Sequence, residues 1–187
     1  MITVVSGLPR SGTSLMMQML AAGGMTMMAD GLRTADANNP KGYLEFEKVK
    51  QLRKDNAWLS EADGRTIKIV SHLLQSCPPG LRYQVVFVLR DIAEVVRSQE
   101  KMIGRLGTTA TDAPAEQVIG LFKKHLAGIQ QWLAQQPNFR VLYVQHRELI
   151  KNPRPSAERI NEFLGGKLDV EKMLACVDPS LHRERAD

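Results

Sequence analysis

Cysteine is scarce in this chain of 187 residues. Cys77 and Cys176 are its only two cysteines, and they stand far apart and outside any C-x-x-C spacing. We therefore expect neither a disulfide framework nor a zinc site built on cysteine pairs. We predict instead that both cysteines are reduced thiols in a cytosolic protein.

Aromatic side chains are few as well, at 5% of the residues, and basic residues form no cluster before the C-terminal tail. Proteins that bind single-stranded nucleic acid stack bases on aromatic rings beside a basic groove. We therefore expect no nucleic-acid partner. The net charge of +5 attracts anions such as nucleotides or acidic glycans without choosing among them.

Long hydrophobic runs are also lacking. The most apolar stretch, residues 15–29, is interrupted by Gln18 and by the pair Gly23-Gly24, so it is too short and too broken to span a bilayer. No charged and then apolar leader precedes the first strand-like run. We expect a cytoplasmic protein with no membrane partner, and a length of 187 residues fits one domain over residues 1–187.

Strand-like runs alternate with helical patterns along the chain. Strands are predicted at 2–5, 66–71, 83–89 and 140–144, of which the run YQVVFVL at 83–89 is the strongest. Helices are predicted at 14–20, 46–59, 91–102, 114–135, 155–164 and 170–176, with loops at 30–43 and 104–113. The alternation predicts an α/β fold in which a doubly wound, mostly parallel sheet is flanked by helices.

The segment GLPRSGTS at residues 7–14 fits the phosphate-loop frame G-x-x-x-x-G-K-[ST], except that Thr13 stands where the frame has lysine. It follows a predicted strand and opens a predicted helix, which is the context that such a motif requires. Backbone N–H groups of a curled loop, together with the positive end of a helix, bind phosphate. The plain alternative is a tight glycine turn between a strand and a helix.

Two arginines stand in place of the lysine and the carboxylate that a nucleotide triphosphatase needs. Arg10 offers a charge inside the loop, and the strongest strand ends in Arg90, where a triphosphatase needs a carboxylate for Mg²⁺. Ligands bind at this edge of a parallel sheet. We therefore expect fixed cations and no metal, which suits a sulfuryl group better than a γ-phosphoryl group. The alternatives are a loop-tip surface charge for Arg10 and a strand-end salt bridge with Asp91 or Glu94 for Arg90.

The stretch GLPRSGTSLM at 7–16 closely resembles the 5′-phosphosulfate loop of the sulfotransferases that use 3′-phosphoadenosine 5′-phosphosulfate (PAPS), in the form found in protein-tyrosine and bacterial members. The stretch 86–98 resembles their 3′-phosphate segment, in which an arginine ends a strand and a serine lies two helical turns later, as Arg90 and Ser98 do. RELI at 147–150 and EFLG at 162–165 resemble the late helix of that family. The resemblance implies a P-loop NTPase-like sulfotransferase fold and an enzyme that moves a sulfuryl group from PAPS to a hydroxyl or amine.

The same resemblance implies roles for individual residues. Arg10 would be the catalytic cation at the bridging oxygen. The donor would be bound by Pro9, Arg10, Ser11, Gly12, Thr13, Ser14, Arg90 and Ser98. The sequence departs from the family in two places. The family often has a tyrosine before a late acidic dipeptide, and His146 and Arg147 occupy that place here. The C-terminal Arg-Lys-Gly loop is absent, which leaves the basic tail at 181–185.

Two residues are candidates for the base that the acceptor needs. His72, in the segment Ser71-His72-Leu73, resembles the base-carrying segment of cytosolic sulfotransferases, although Lys68 is displaced from the family's position. Glu45 lies in a segment that resembles the one where bacterial and glycan sulfotransferases place a glutamate. The alternatives are a satisfied, non-catalytic histidine and a solvated carboxylate at a helix start, and the sequence does not rank the two candidates.

Other functions remain open at this point. A P-loop kinase or hydrolase using ATP and Mg²⁺ would explain the loop, and a degenerate nucleotide-binding protein would explain the missing C-terminal loop. The acceptor is a small molecule, a glycan or a peptide on this reading, and the sequence leaves its identity and the oligomeric state open.

Overall fold

Four parallel strands form the central sheet of the protein. The structure is a computed structural model that describes residues 1–33, 42–105 and 114–178. The strands are β1 (Ile2–Gly7), β2 (Thr66–Lys68), β3 (Tyr83–Leu89) and β4 (Phe139–Gln145). Their order in the sheet is β2-β1-β3-β4, and each neighbouring pair is parallel. The carboxyl ends of all four strands therefore meet at one edge.

Helices cover the sheet and connect its strands. They are α1 (Thr13–Ala22), α2 (Ile92–Arg105), α3 (Ala115–Ala134), α4 (His146–Lys151), α5 (Pro153–Phe163) and α6 (Val170–Ala175). Within the described residues, three short 3₁₀ helices occupy Glu47–Gln51, Ala57–Ala62 and Ser71–Ser76. The predicted α/β fold with a mostly parallel sheet is confirmed.

The two faces of the sheet each have a hydrophobic core. Ile2 and Val4 of β1 pack into a core that includes the 3₁₀ segments and α3, whereas Val5 packs with the methionines of α1 and with α4–α6. Successive side chains of a strand point to opposite faces, so one strand can belong to both cores. β1 is buried along its whole length, and this holds the loop that follows it in a fixed place.

Several predicted elements differ in the structure. The helix expected at 46–59 is wrong: two 3₁₀ helices occupy the region. The strand expected at 66–71 ends at Lys68, and the chain turns into a 3₁₀ helix at Ser71. α2 continues to Arg105, so the loop expected at 104–113 begins later, and its residues 106–113 lie outside the described residues, as do 34–41 of the loop expected at 30–43. The short helix α4 was not among the helices predicted from the residue pattern, although it contains the stretch RELI at 147–150.

Candidate functional site

The loop between β1 and α1 curls tightly at the carboxyl edge of the sheet. Arg10 has a φ of 71° and Gly12 a φ of 100°, both in the left-handed region. A Cβ atom on Gly12 would lie 2.4 Å from Cδ2 of His146, and one on Gly7 would lie 2.4 Å from Oγ of Ser11. Glycine is therefore required at both positions on steric grounds. A simple turn between strand and helix does not need such close approaches.

A cavity of about 620 Å³ opens in front of this loop. All the residues predicted for the site line it except Ser11: Pro9, Arg10, Gly12, Thr13, Ser14, Glu45, His72, Arg90 and Ser98. Ser11 is buried behind the loop, and its Oγ finds no hydrogen-bond partner among the described residues. The fold thus brings together residues that the sequence separates by up to 89 positions (Pro9 to Ser98).

Helix α2 and the end of β3 hold the loop from one side. Nε of Arg10 donates to Oγ of Ser98 at 3.1 Å, and Nη1 of Arg90 donates to the carbonyl of Arg10 at 3.1 Å. Arg90 also forms an ion pair with Glu94, with Nε 2.8 Å from Oε2. Arg10 is therefore not a loop-tip charge, and Arg90 makes the strand-end salt bridge while it lines the cavity.

Lys68, at the end of β2, approaches the loop from the other side. Its Nζ donates to Oγ of Ser14 at 3.0 Å, to Oε1 of Glu45 at 2.9 Å and to the carbonyl of Tyr43 at 3.4 Å. Its side chain is only 7% exposed. No prediction from the sequence assigned this lysine to the site. The available signal was a single charge inside the apolar run Ile67-Lys68-Ile69, which demands a partner when it is buried.

Glu45 is held by two cations. Besides Lys68, the guanidinium of Arg33 binds both of its oxygens through Nη1, at 3.0 and 3.1 Å, and the same guanidinium lies 3.5 Å from the centre of the Tyr43 ring. Burial by itself would raise the pKa of Glu45, but the two cations hold that pKa below its ordinary value of 4.5. Glu45 is therefore ionised at neutral pH and is not the solvated helix-start carboxylate considered above.

His72 lies in the third 3₁₀ helix with its side chain exposed to the cavity. Its imidazole has no hydrogen bond within the described ranges, whereas its backbone carbonyl accepts a bond from Nη2 of Arg53 at 3.2 Å. Partial burial and the nearby Arg53 lower the pKa of His72 below 6.5. Ser71, which precedes His72, forms a hydrogen bond with α3, because its Oγ lies 2.8 Å from Nε2 of His125.

The cavity is strongly cationic at its phosphate-loop end. Burial lowers the pKa of Lys68 and that of Arg10; Glu45 opposes the shift of Lys68, and Tyr43 opposes that of Arg10. Burial disfavours the charged form of such a group, and a neighbouring anion favours it. Within the described residues, no group of three or more His, Cys, Asp or Glu side chains is arranged to hold a metal ion.

A comparison with known protein families decides the family of the chain. The model described as the sulfotransferase domain matches residues 2–181. The chain belongs to the sulfotransferase family. Sulfotransfer is therefore the general chemistry that this membership supports. No curated protein matches the sequence.

Solved structures of sulfotransferases share the fold. The sulfotransferase domain of the olefin synthase from Synechococcus PCC 7002 is 16% identical, with a TM-score of 0.56, and the match covers all of this chain and 80% of that one. A sulfotransferase domain from the curacin biosynthetic pathway is 14% identical (TM-score 0.53; 95% and 77% covered). A sulfotransferase from Alicyclobacillus acidocaldarius is 11% identical (TM-score 0.53; 98% and 96% covered). At these identities the likeness shows the fold alone.

In this sulfotransferase, the strand order separates the cavity into two sides. The loop after β1 lies in the middle, with Arg90 and Ser98 on the β3 side and Lys68, Glu45 and His72 on the β2 side. None of the helices in the described part of the chain is both long and apolar enough to cross a membrane.

Proposed function

We propose that the protein transfers a sulfuryl group from PAPS to a hydroxyl or amine acceptor. The observation that carries this proposal is a cavity that joins the phosphate loop to cations at the ends of both flanking strands. Arg90 is on the β3 side, Lys68 on the β2 side and Arg10 in the loop itself. PAPS carries a phosphosulfate at one end of its ribose and a 3′-phosphate nearby, so it needs separate cationic groups for its two ends.

The residues present fit such a donor. The backbone N–H groups at the start of α1, the hydroxyl of Ser14 and the ammonium of Lys68 suit the 5′-phosphate. Arg90 and Ser98 suit the 3′-phosphate, with Arg10 between the two groups. A cavity of about 620 Å³ lies within the usual range for ligand sites of about 300–1,000 Å³.

The reaction needs alignment and charge stabilisation. The acceptor oxygen or nitrogen attacks sulfur, the bond from sulfur to the bridging oxygen breaks, and negative charge grows on the departing 5′-phosphate. Arg10 and Lys68 are the side chains suited to stabilise that charge, because both are partly or largely buried and gain strength from the low dielectric. The acceptor proton passes to a base on the β2 side of the cavity.

The pH dependence of turnover distinguishes the two candidate bases. A base must be deprotonated to act, so activity falls as the pH drops through its pKa. The lowered pKa of His72 puts that fall below pH 6.5, and the lowered pKa of Glu45 puts it below pH 4.5. A midpoint between these values that disappears in His72→Asn assigns His72. If neither His72→Asn nor Glu45→Gln slows transfer by about a hundredfold, neither residue is the base.

An ATP-dependent kinase or hydrolase is the main alternative. In such enzymes the hydroxyl at the position of Ser14 binds Mg²⁺, with a carboxylate at a strand end nearby. Here the ammonium of Lys68 contacts that hydroxyl and Arg90 follows β3, so fixed cations stand where the metal and its ligand would be. We expect adenosine 3′,5′-bisphosphate to stabilise the protein against heat and ATP with Mg²⁺ not to do so. A shift with ATP and Mg²⁺ alone contradicts the proposal, and bisphosphate binding without any transfer indicates a degenerate binding protein.

A further inference from the structure

The wall of the cavity on the β2 side is apolar at its base. Phe46, Val49, Val70 and Leu73 line it, and they belong to the hydrophobic core on that face of the sheet. Their side chains offer no hydrogen bond to a ligand. An acceptor that lies against this wall gains by burying apolar surface, which a glycan rich in hydroxyl groups does not provide.

A guanidinium stands at the edge of this wall. Arg53 lines the cavity, and its Nη2 donates to the carbonyl of His72 at 3.2 Å. This single hydrogen bond fixes the guanidinium while leaving its other N–H donors available. Within residues 1–33, 42–105 and 114–178, no carboxylate forms an ion pair with Arg53. By contrast, the neighbouring cation Lys50 is paired with Glu47 at 2.8 Å.

The sheet order separates Arg53 from the cations assigned to the donor's 3′-phosphate. Arg53 reaches the backbone of His72, beyond the end of β2, whereas Arg90 follows β3 on the opposite side of β1. The guanidinium therefore lies on the β2 side of the cavity, the side that carries the two candidate bases, His72 and Glu45. A fixed, unpaired guanidinium is matched in geometry and charge by an oxyanion such as a carboxylate.

We propose that the acceptor is a small hydroxyl compound with an apolar body and an oxyanionic group, and that Arg53 binds the oxyanion. The inference rests on the proposed sulfuryl transfer and adds the substrate class. The apolar body lies on Val49 and Leu73, the oxyanion pairs with Arg53, and the hydroxyl group is directed towards His72 and Glu45. The Arg53 guanidinium also helps to keep His72 neutral, because a second positive charge beside it is unfavourable.

Three matched phenols test this proposal. They are para-hydroxyphenylpropionate, its uncharged amide, and tyramine, which replaces the anion by a cation. Binding is measured by calorimetry with and without adenosine 3′,5′-bisphosphate, and transfer is then measured with PAPS. Because Arg53 is exposed, we expect the carboxylate to bind about fivefold more tightly than the amide, with tyramine weakest. The preference should weaken as the salt concentration rises.

Two variants complete the design. Arg53→Met should abolish the preference, whereas Lys54→Met removes an exposed neighbouring charge that does not line the cavity and should preserve it. Equal binding of carboxylate and amide by the unaltered protein overturns the proposal, as does an unchanged preference in Arg53→Met. A loss of bisphosphate affinity in Arg53→Met also overturns it, because Arg53 would then belong to the donor site. Absence of bisphosphate binding with the carboxylate preference intact contradicts the proposed sulfuryl transfer alone.

Discussion

Replacing Lys68 by methionine tests the electrostatic design of the site. The change removes one charge that contacts both Ser14 and Glu45, and it keeps a side chain of similar length at a position 8% exposed. Hydrogen bonds to charged groups contribute about 1.5–3 kcal/mol each. If the ammonium binds the 5′-phosphate, its loss should weaken bisphosphate binding by about 10- to 150-fold, at 1.4 kcal/mol for each factor of ten.

The effect on turnover should be larger than the effect on binding. Charge on the leaving phosphate grows in the transition state, and removal of one group that stabilises such charge costs about 2.7–4 kcal/mol. We therefore expect kcat to fall by about a hundredfold or more. Methionine fills the space and Arg33 still pairs with Glu45, so the unfolding midpoint should change by no more than about 4 °C.

Calorimetry with adenosine 3′,5′-bisphosphate is the assay, and Lys48→Met is the matched control. Lys48 is exposed and does not line the cavity, so its removal lowers the net charge by the same amount without touching the site. If Lys68→Met binds the bisphosphate within about twofold of the unaltered protein, the assignment of Lys68 to the 5′-phosphate is wrong. An equal loss of bisphosphate affinity in the Lys48 variant would point instead to the overall electrostatic field of the protein.

Three further predictions concern the loop, a thiol and a buried hydroxyl. Gly12→Ala should destabilise the protein and abolish bisphosphate binding, because its Cβ would lie 2.4 Å from the His146 ring; thermal unfolding and calorimetry report both effects. Cys77 should resist alkylation at pH 8 in the native protein, since burial raises its pKa to about 12; mass spectrometry after labelling would contradict this if Cys77 reacted as fast as in urea. Ser71→Ala should cost about 1 kcal/mol of unfolding free energy by removing the bond to His125, and an unchanged urea midpoint would contradict that value.

Much of the fold follows from local signals in the sequence. β3 is a continuous apolar run because both of its faces are covered, so periodicity and burial agree there. The phosphate loop was recognisable because its glycines, its strand and its helix occur together in a fixed order. Helix α3 begins just after Pro114, close to the start of the helix predicted at 114–135, because proline is favoured at the beginning of a helix.

The failure at residues 46–59 has a local cause. The charged and apolar residues there are compatible with a helix, but the side chains of Asp55 and Asn56 form hydrogen bonds with backbone groups instead. Oδ1 of Asp55 accepts from the N–H of Ala57, and Nδ2 of Asn56 donates to the carbonyl of Ser76 at 2.8 Å. Such bonds compete with helix formation. The second one depends on a segment twenty residues away, which no local pattern reveals.

The sequence placed the loop residues and the flanking arginine in one site, but it missed Lys68. A lone lysine between two isoleucines is typical of an edge strand, where a charge protects the open edge. β2 is indeed an edge strand. Only the pairing of Lys68 with Val5 of β1, just before the phosphate loop, brings its ammonium to Ser14.

Because β1 is shared by two cores, the phosphate loop is sensitive to packing on either side of the molecule. Replacing Val4 or Val5 by alanine removes two methyl groups and leaves a void on one face only, and in both cases we expect relaxation around the void to shift the strand that carries the loop. Substitutions far from the cavity can thus lower the affinity for a nucleotide while the protein stays folded. Inactive variants that remain folded but melt at a lower temperature are consequently to be sought among core valines as well as among the charged residues of the cavity.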